Sequence, residues 1–501
     1  MPGRDDDVLR IPHFARQSAL LISSGVVSYA GSFALYVLLA NRLGDSGLGA
    51  FAVALGMAQT LAVTGQMGAD WVVTRQGSYF HSMGDEARLR RVIHLAFLLC
   101  GVGTGTLAGF LAQFAPVVAG ELLGDPSTAS LLRVAAVMVV VTGIGQMALA
   151  ATQAFKSMRE AALVRNLLQP LLRLAFVIAA LSLARSEFVA FLGVVASEVV
   201  LTTVSLFALR RRIRLLGPTT AVGLRGAIGF ALPAWGYKVV EQSRSQLFPV
   251  LVASLSTLAA TGVFVASSRL AVAPIAILTT LNQVYRPVGS SLFLQHRRDE
   301  LGALFKDIAK LGLVLGLPFF LLQAAFPRDL LALFGASFEE AHAALVLLAI
   351  AMLFNFATGP AATSLMISGR ARLSFVDGLG VLVIEVALGL WLVPLYGLIG
   401  AAIAKLVGEA VNNLVRLAQV WMLEGMHPFR GDYWKPAAAG AIAVAIALST
   451  VAWSGLSPGV SSAALAASVL GVGYAGLVLL LGLSPGERAA LDALLRRRAI
   501  H

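Results

Sequence analysis

Lys238, Glu241 and Arg244 stand three residues apart within an apolar stretch that runs from about Gly226 to Leu255. At about 100° per residue this spacing sweeps roughly 120° of one helix side, so all three can face a common cavity. Ionisable groups in a bilayer cost about 2.5–3.5 kcal/mol each on insertion scales, so a stretch that carries three of them is expected to use them. Glu241 can pair well with one cation only, which leaves a net positive charge. Arg269 follows, eight residues into the next apolar stretch. A basic cavity midway through a membrane suits an anionic ligand, and arginine's fork geometry suits phosphate oxygens in particular. The competing reading is an internal ion pair that only fixes helix packing. Pro233 and Pro249 bracket the charges. Each removes a backbone hydrogen bond and permits a kink, so the stretch is expected to act as a hinge.

The elements that position these groups follow from composition. Of 501 residues 58% are hydrophobic and only 13% charged, with a mean hydropathy of +0.83; a soluble domain carries about 25% charged residues. Runs of ~20 apolar residues, long enough to cross a bilayer, recur along the whole chain. About fourteen are read, from 18–40 to 460–482. The expectation is an all-α membrane protein of about 14 transmembrane helices whose short loops leave no room for a soluble domain. The net charge of +12 is spread over many short loops, which argues against a nucleic-acid partner. With both termini in the cytoplasm, the outer loops hold only Arg42, Arg133, Arg185 and Arg328, and nearly all other loop Lys and Arg fall inside, as the positive-inside rule asks. Residues 1–17 show no apolar core of a cleavable signal peptide and read as a cytoplasmic tail.

The chain also repeats. Leu38-Leu39-Ala40 and Gly49-Ala50-Phe51 match Leu251-Val252-Ala253 and Gly262-Val263-Phe264 at an offset of 213, and Asp85-Glu86 matches Asp299-Glu300 at 214. Leu122-Leu123-Gly124, Ala151-Thr152 through Arg159, and Ser197-Glu198 match Leu333-Phe334-Gly335, Ala362-Thr363 through Arg370, and Gly408-Glu409 at 211. Two parallel six-helix repeats are therefore expected, 18–209 and 226–423, joined by a basic cytoplasmic linker over 210–225. Two extra helices over 436–482 and a cytoplasmic tail over 483–501 complete the chain. Parallel repeats of this kind mark transporters that rock two bundles about a central site. The linker run Arg210-Arg211-Arg212-Ile213-Arg214 is expected to hold the linker inside, with anionic lipid head groups as its other possible role.

No phosphate-binding loop occurs, so ATP hydrolysis of the usual kind is excluded. Gly101-Val102-Gly103-Thr104-Gly105 superficially matches a dinucleotide fingerprint but lacks a preceding strand. Gly101, Gly105 and Gly109 instead predict a close-packing helix face. The seven histidines are scattered without metal-ligand spacing, and Cys100 is the only cysteine. Catalytic residues, metals and cofactors are expected to be none. Among other ionisable groups in the spans, Arg165, Arg416 and Asp377 lie near span ends and are read as reaching the interface. Glu198 and Glu409 occupy equivalent places in the repeats and fit a shared structural pairing.

Leu331-Ala332-Leu333-Phe334-Gly335, Leu348 through Phe354, Gly359-Pro360 and Ser368-Gly369-Arg370 resemble the bacterial polysaccharide flippases of the multidrug/oligosaccharidyl-lipid/polysaccharide exporter superfamily. Leu392 through Ala402, with Pro428-Phe429, and Leu43 through Gly49 are similar to further patterns of that family. The resemblance implies V-shaped six-helix bundles around a cationic central cavity in the bacterial inner membrane. It implies that an undecaprenyl-pyrophosphate-linked oligosaccharide repeat unit is flipped from the cytoplasmic to the outer leaflet for polysaccharide biosynthesis. Membrane lipids, a polysaccharide polymerase and glycosyltransferases would be the further partners. By location, Arg244, Arg269 and Lys238 would bind pyrophosphate, Tyr237 and Gln246 would contact sugar, and Glu241 would orient a neighbour. The first span is uncharged, so the cavity is expected to be asymmetric.

A cation-coupled multidrug exporter of the same fold would want acidic residues dominating the first bundle, where only Asp70 and Glu198 are found. A membrane glycan polymerase or ligase would want a large outer loop with catalytic polar groups. The longest outer loops, about 115–130 and 327–341, are short. The protein is expected not to be an enzyme.

Overall fold

The computed structural model describes residues 11–155, 159–223, 225–429, 431 and 433–481, and among these every regular element is a helix. The chain forms two compact units, Met1–Val265 and Ala266–His501. The expected C-terminal tail and the first ten residues lie outside the described residues.

The first unit begins with α1 (Ile11–Gly65), which is broken at Gly44, where φ is 73° and ψ −170°. A side chain at that positive φ would be strained, so glycine permits the chain to turn back at the place where an outer loop is expected. There follow α2 (Ala69–Ser82), α3 (Glu86–Val117), α4 (Ala129–Gln153), the single turn α5 (Arg159–Ala162), α6 (Gln169–Leu183), α7 (Glu187–Arg210) and α8 (Arg225–Leu255). Polar residues start the helices: the Asp85 carboxylate accepts the Arg88 amide at 2.9 Å, and the Ser186 hydroxyl accepts the Val189 amide at 3.3 Å. Val73, Phe80, Leu89, Ile93, Cys100, Met147 and Leu209 fill the core between α2, α3, α4 and α7. The linker after α7 is tied down by one buried guanidinium. Arg90 donates from Nε to the Arg214 carbonyl at 2.8 Å and from Nη1 to the Pro218 carbonyl at 2.7 Å.

One crossing in this unit is set by glycine. A Cβ at Gly49 on α1 would lie 1.9 Å from the Leu258 carbonyl oxygen, and a Cβ at Gly262 would lie 1.9 Å from the Asp45 carbonyl oxygen. Gly262 belongs to α9 (Leu258–Ala271), the helix in which the first unit ends. The contact is reciprocal, and its members are related by the 213-residue offset of the sequence match.

The second unit holds the end of α9, then α10 (Ile275–Leu294), α11 (Arg298–Ala325), the short α12 (Pro327–Leu331), α13 (His342–Thr358), α14 (Ala361–Ile367), α15 (Ala371–Glu424), α16 (Trp434–Ser454) and α17 (Val460–Leu480). α15 is broken at Gly397, with φ 54° and ψ −127°. Tyr285, Phe305, Leu365 and Val420 centre one core. The two C-terminal helices pack on α11 through an alanine stripe, Ala439, Ala443 and Ala447, whose small side chains let the backbones approach. The Tyr474 hydroxyl donates to the Val314 carbonyl at 3.0 Å.

Ten helices among the described residues are long and apolar enough to cross a membrane, or eleven if the bent pair α9 and α10 counts as one span. The expected number was about fourteen. The counts differ because α1 and α15 each enter once although each is broken at a glycine, and because the charged α8 does not pass the test. The expected glycine face on α3 is corrected: Cβ atoms at Gly101, Gly105 and Gly109 would meet nothing within 4 Å. The close-packing glycine of that helix is Gly103, where a Cβ would lie 2.2 Å from the Gly65 carbonyl oxygen. A four-residue period defines a helix face but not what the face meets.

Candidate functional site

α8 runs helical through both Pro233 and Pro249. One side of it docks where α1 ends and α2 begins. There Gly68, at φ 76°, starts α2, and Asp70 stands in its first turn, where the helix dipole favours a carboxylate. Lys238 donates to Asp70 Oδ2 and to Gln66 Oε1, both at 2.8 Å. Trp235, one turn earlier on the same side, donates from Nε1 to the Thr64 carbonyl at 3.2 Å. Gln66 is fully buried and passes the network on, donating from Nε2 to Gln146 Oε1 on α4 at 2.6 Å.

Gln146 lines a cavity of about 140 Å³ inside the first unit. Thr142, Gly145, Arg165, Gln169, Glu198, Thr202 and Ser205 complete its polar wall. Arg165 lies on a π-helical segment, Leu163–Leu168, that leads into α6. Such widened turns re-aim side chains and recur at functional sites. Arg165, expected to reach the membrane interface, is exposed and stands in the wall of this cavity. Glu198, on α7, is buried and bound by Arg173 of α6, with Gln169 Nε2 donating to its Oε1 at 2.8 Å.

The remaining sequence candidates are placed as follows. Arg244 is only 4% exposed, with Nη1 3.6 Å from Glu241 Oε1. Tyr237 is half-buried on α8, and Gln246 fills the space above Gly56 of α1, its Oε1 2.7 Å from where a Cβ there would sit. Arg269 is half-buried on the part of α9 that belongs to the second unit. Pro233 is exposed and Pro249 half-buried.

The second unit carries its own buried charge cluster. Lys405 Nζ lies 3.2 Å from Glu385 Oε1 and 2.9 Å from Glu409 Oε1, joining the two segments of α15 on either side of Gly397. Asn355 of α13 donates to Glu409 Oε2 at 3.3 Å. Glu198 pairs across spans with Arg173, whereas Glu409 pairs within its own helix with Lys405, so their equivalent positions do not make the same contact. Arg416, expected at the interface, is buried, at 8% exposure, and Asp377 accepts from Gln419 at 2.8 Å.

Sequence reasoning missed Gln66 and Gln146, whose neutral amides gave no signal against other polar residues in spans. It noted Asp70 but could not supply its partner, 168 residues away.

Comparison with solved structures identifies the fold of this helical membrane chain. The lipid II flippase MurJ, in an inward closed conformation, superposes with a TM-score of 0.72 at 13% identity, covering 92% of this chain and 98% of MurJ. An inward-facing multidrug resistance MATE transporter of the MOP superfamily gives 0.58 at 16% identity, with 78% and 94% covered. A Vibrio cholerae MATE transporter gives 0.55 at 15% identity, with 83% and 97% covered. At these identities the likeness is one of fold. Residues 38–343, which are 306 of 501 (343 − 38 + 1), match the sequence model of the polysaccharide biosynthesis protein family, and the chain belongs to that family. Comparison with curated protein sequences gives no match.

Proposed function

We propose that this membrane protein flips an undecaprenyl-pyrophosphate-linked oligosaccharide repeat unit from the cytoplasmic to the outer leaflet of a bacterial inner membrane, by alternating access. The observation that carries the reading is a family of polysaccharide biosynthesis on a fold shared with a flippase of lipid II. In this reading both termini are cytoplasmic, and the repeats 18–209 and 226–423 are the rocking bundles. Arg244 and Arg269, with Lys238, hold the pyrophosphate; Tyr237 and Gln246 meet sugar; Glu241 orients Arg244; and the prolines of α8 let it bend. A polymerase and glycosyltransferases act before and after it on the same lipid carrier.

The ion pairs weigh against the cation-coupled exporter. That mechanism wants a carboxylate free to exchange cations, yet Asp70 is held by Lys238 and Glu198 by Arg173. The test is Arg244→Ala in cells, with membrane abundance followed in parallel. Normal abundance with lipid-linked precursor accumulating on the inner leaflet is expected. Normal polysaccharide output at normal abundance removes Arg244 from the site.

A further inference from the structure

We propose that the cavity of the first unit lined by Arg165 is a binding site for a single oxyanion, a phosphoryl-sized group, with Arg165 as its anchor. Among the described residues the Arg165 guanidinium makes no hydrogen bond or ion pair, although it lies within a membrane-crossing segment. A cation in that setting is expected to hold a counter-charge. Glu198, the only carboxylate in the wall among the described residues, is already bound by Arg173 and Gln169. With Arg165 and Arg173 positive and Glu198 negative, the sum is +2 − 1 = +1.

The hydrogen-bonding groups agree in sign. Thr142 is 5% exposed, and its hydroxyl is buried in the wall without a partner, a condition native interiors rarely tolerate. Gln146 uses its carbonyl to accept from Gln66, which leaves its NH2 for the cavity. The Thr202 and Ser205 hydroxyls are spent on the Val141 and Leu201 carbonyls. The donors that remain unspent in the wall are the Arg165 fork, the Gln146 amide and the Thr142 hydroxyl. A volume of about 140 Å³ has room for one tetrahedral oxyanion. Gln146, Arg165 and Ser205 lie within about seven residues, or ~10 Å, of the helix ends at Gln153, Arg159 and Arg210. The charge pattern of the loops assigns those ends to the cytoplasm, so the site fills from that side.

The site stands whether or not the transported lipid is the one proposed above. Two sources can supply its ligand, free cytoplasmic phosphate or the diphosphate of a lipid carrier. The test uses the full chain in phosphatidylcholine nanodiscs, titrated calorimetrically with inorganic phosphate and inorganic pyrophosphate. Saturable binding is expected, weakened roughly 10- to 100-fold by Arg165→Gln and several-fold by the isosteric Thr142→Val. Arg165→Lys restores part of it, because the charge returns without the fork. Arg328→Gln, far along the chain in an outer loop, leaves it unchanged. If Arg165→Gln does not fold, Thr142→Val alone carries the comparison. Competition by undecaprenyl diphosphate assigns the site to the lipid carrier, and saturable binding without such competition assigns it to free anion. Absence of saturable binding in the wild type, or equal affinity in wild type, Thr142→Val and Arg165→Gln, overturns the proposal.

Discussion

The reciprocal glycine crossing makes a quantitative prediction. A methyl group at residue 49 or 262 would come to 1.9 Å from a backbone carbonyl oxygen. Ordinary carbon–oxygen contacts in helix interfaces begin at about 3.3 Å, so the two backbones must separate by about 1.4 Å. No side-chain rotation can relieve the clash, because both the new Cβ and the oxygen it meets are fixed to main chain. Overpacking of this kind costs about 1–3 kcal/mol. Helix propensity opposes it, since alanine is favoured over glycine within a helix by up to about 1 kcal/mol. The net expectation for Gly49→Ala is a loss of about 1–2 kcal/mol. The two sites mirror one another, so Gly262→Ala should cost the same. The double variant should cost less than the sum, because one separation accommodates both methyl groups. Gly105→Ala is the control, with nothing within 4 Å of its Cβ, and should be neutral or stabilising. The chain carries its own probe: Cys100 is the single cysteine and is fully buried, so a thiol-reactive dye reports unfolding in detergent. If Gly49→Ala melts together with Gly105→Ala, or if Gly49→Ala and Gly262→Ala differ widely, the crossing is not the reciprocal contact described.

Lys238→Met should cost about 2–3 kcal/mol in the same assay, because Asp70 is left without its cation, and adding Asp70→Asn should return most of the loss; additive costs would count against the pair. Arg90→Ala unties the linker from α3, so trypsin should cut faster between Arg210 and Arg214, and an unchanged digestion rate refutes the clamp. Asp329 accepts the Gly459 amide at 3.1 Å and the Ser462 hydroxyl, so Asp329→Ala should loosen the start of α17 by about 1–2 kcal/mol, seen as faster amide exchange at Gly459. The Asp125 carboxyl is held below its usual range chiefly by the Ser127 hydroxyl, opposed by partial burial and aided by the Ser127 amide and Thr128 hydroxyl. Its folded-state value is depressed, so its contribution is present above the ordinary carboxylate value near 3.8 and is lost as pH falls below it. Exchange at Ser127, corrected for its intrinsic pH dependence, should rise below about pH 4 in the wild type and change less in Asp125→Asn.

Hydropathy made the helical membrane fold legible, because each span must bury its own backbone polar groups and can do so only as a helix. The glycine signal was legible in period and not in direction. Gly101, Gly105 and Gly109 form a face, but Gly103, off that face, makes the close contact with Gly65. The breaks at Gly44 and Gly397 were equally hidden, because helical hydrogen bonding continues into them from both sides and only the backbone angles mark the turn. For the charges, residue type and depth could be read while partners could not. Asp70 finds Lys238 across 168 residues, and Arg173 finds Glu198 across 25.

That difference moves the surplus charge. Along α8, Lys238 and Arg244 share one carboxylate, Glu241, so the spacing places an unpaired cation on that helix. In the folded unit Lys238 is drawn to Asp70, Arg244 lies beside Glu241 and Arg173 holds Glu198. Of the ionisable groups singled out within the spans of this unit, the cations Arg165, Arg173, Lys238 and Arg244 face the anions Asp70, Glu198 and Glu241. The sum, 4 − 3 = +1, is the positive balance the sequence implied, and the cation left over is Arg165. Arg165, read on sequence as reaching for the interface, stands on a π-helical segment in the cavity wall and makes no hydrogen bond or ion pair among the described residues. Pairing across helices, which spacing along α8 could not show, thus decides which cation is left open within the first unit.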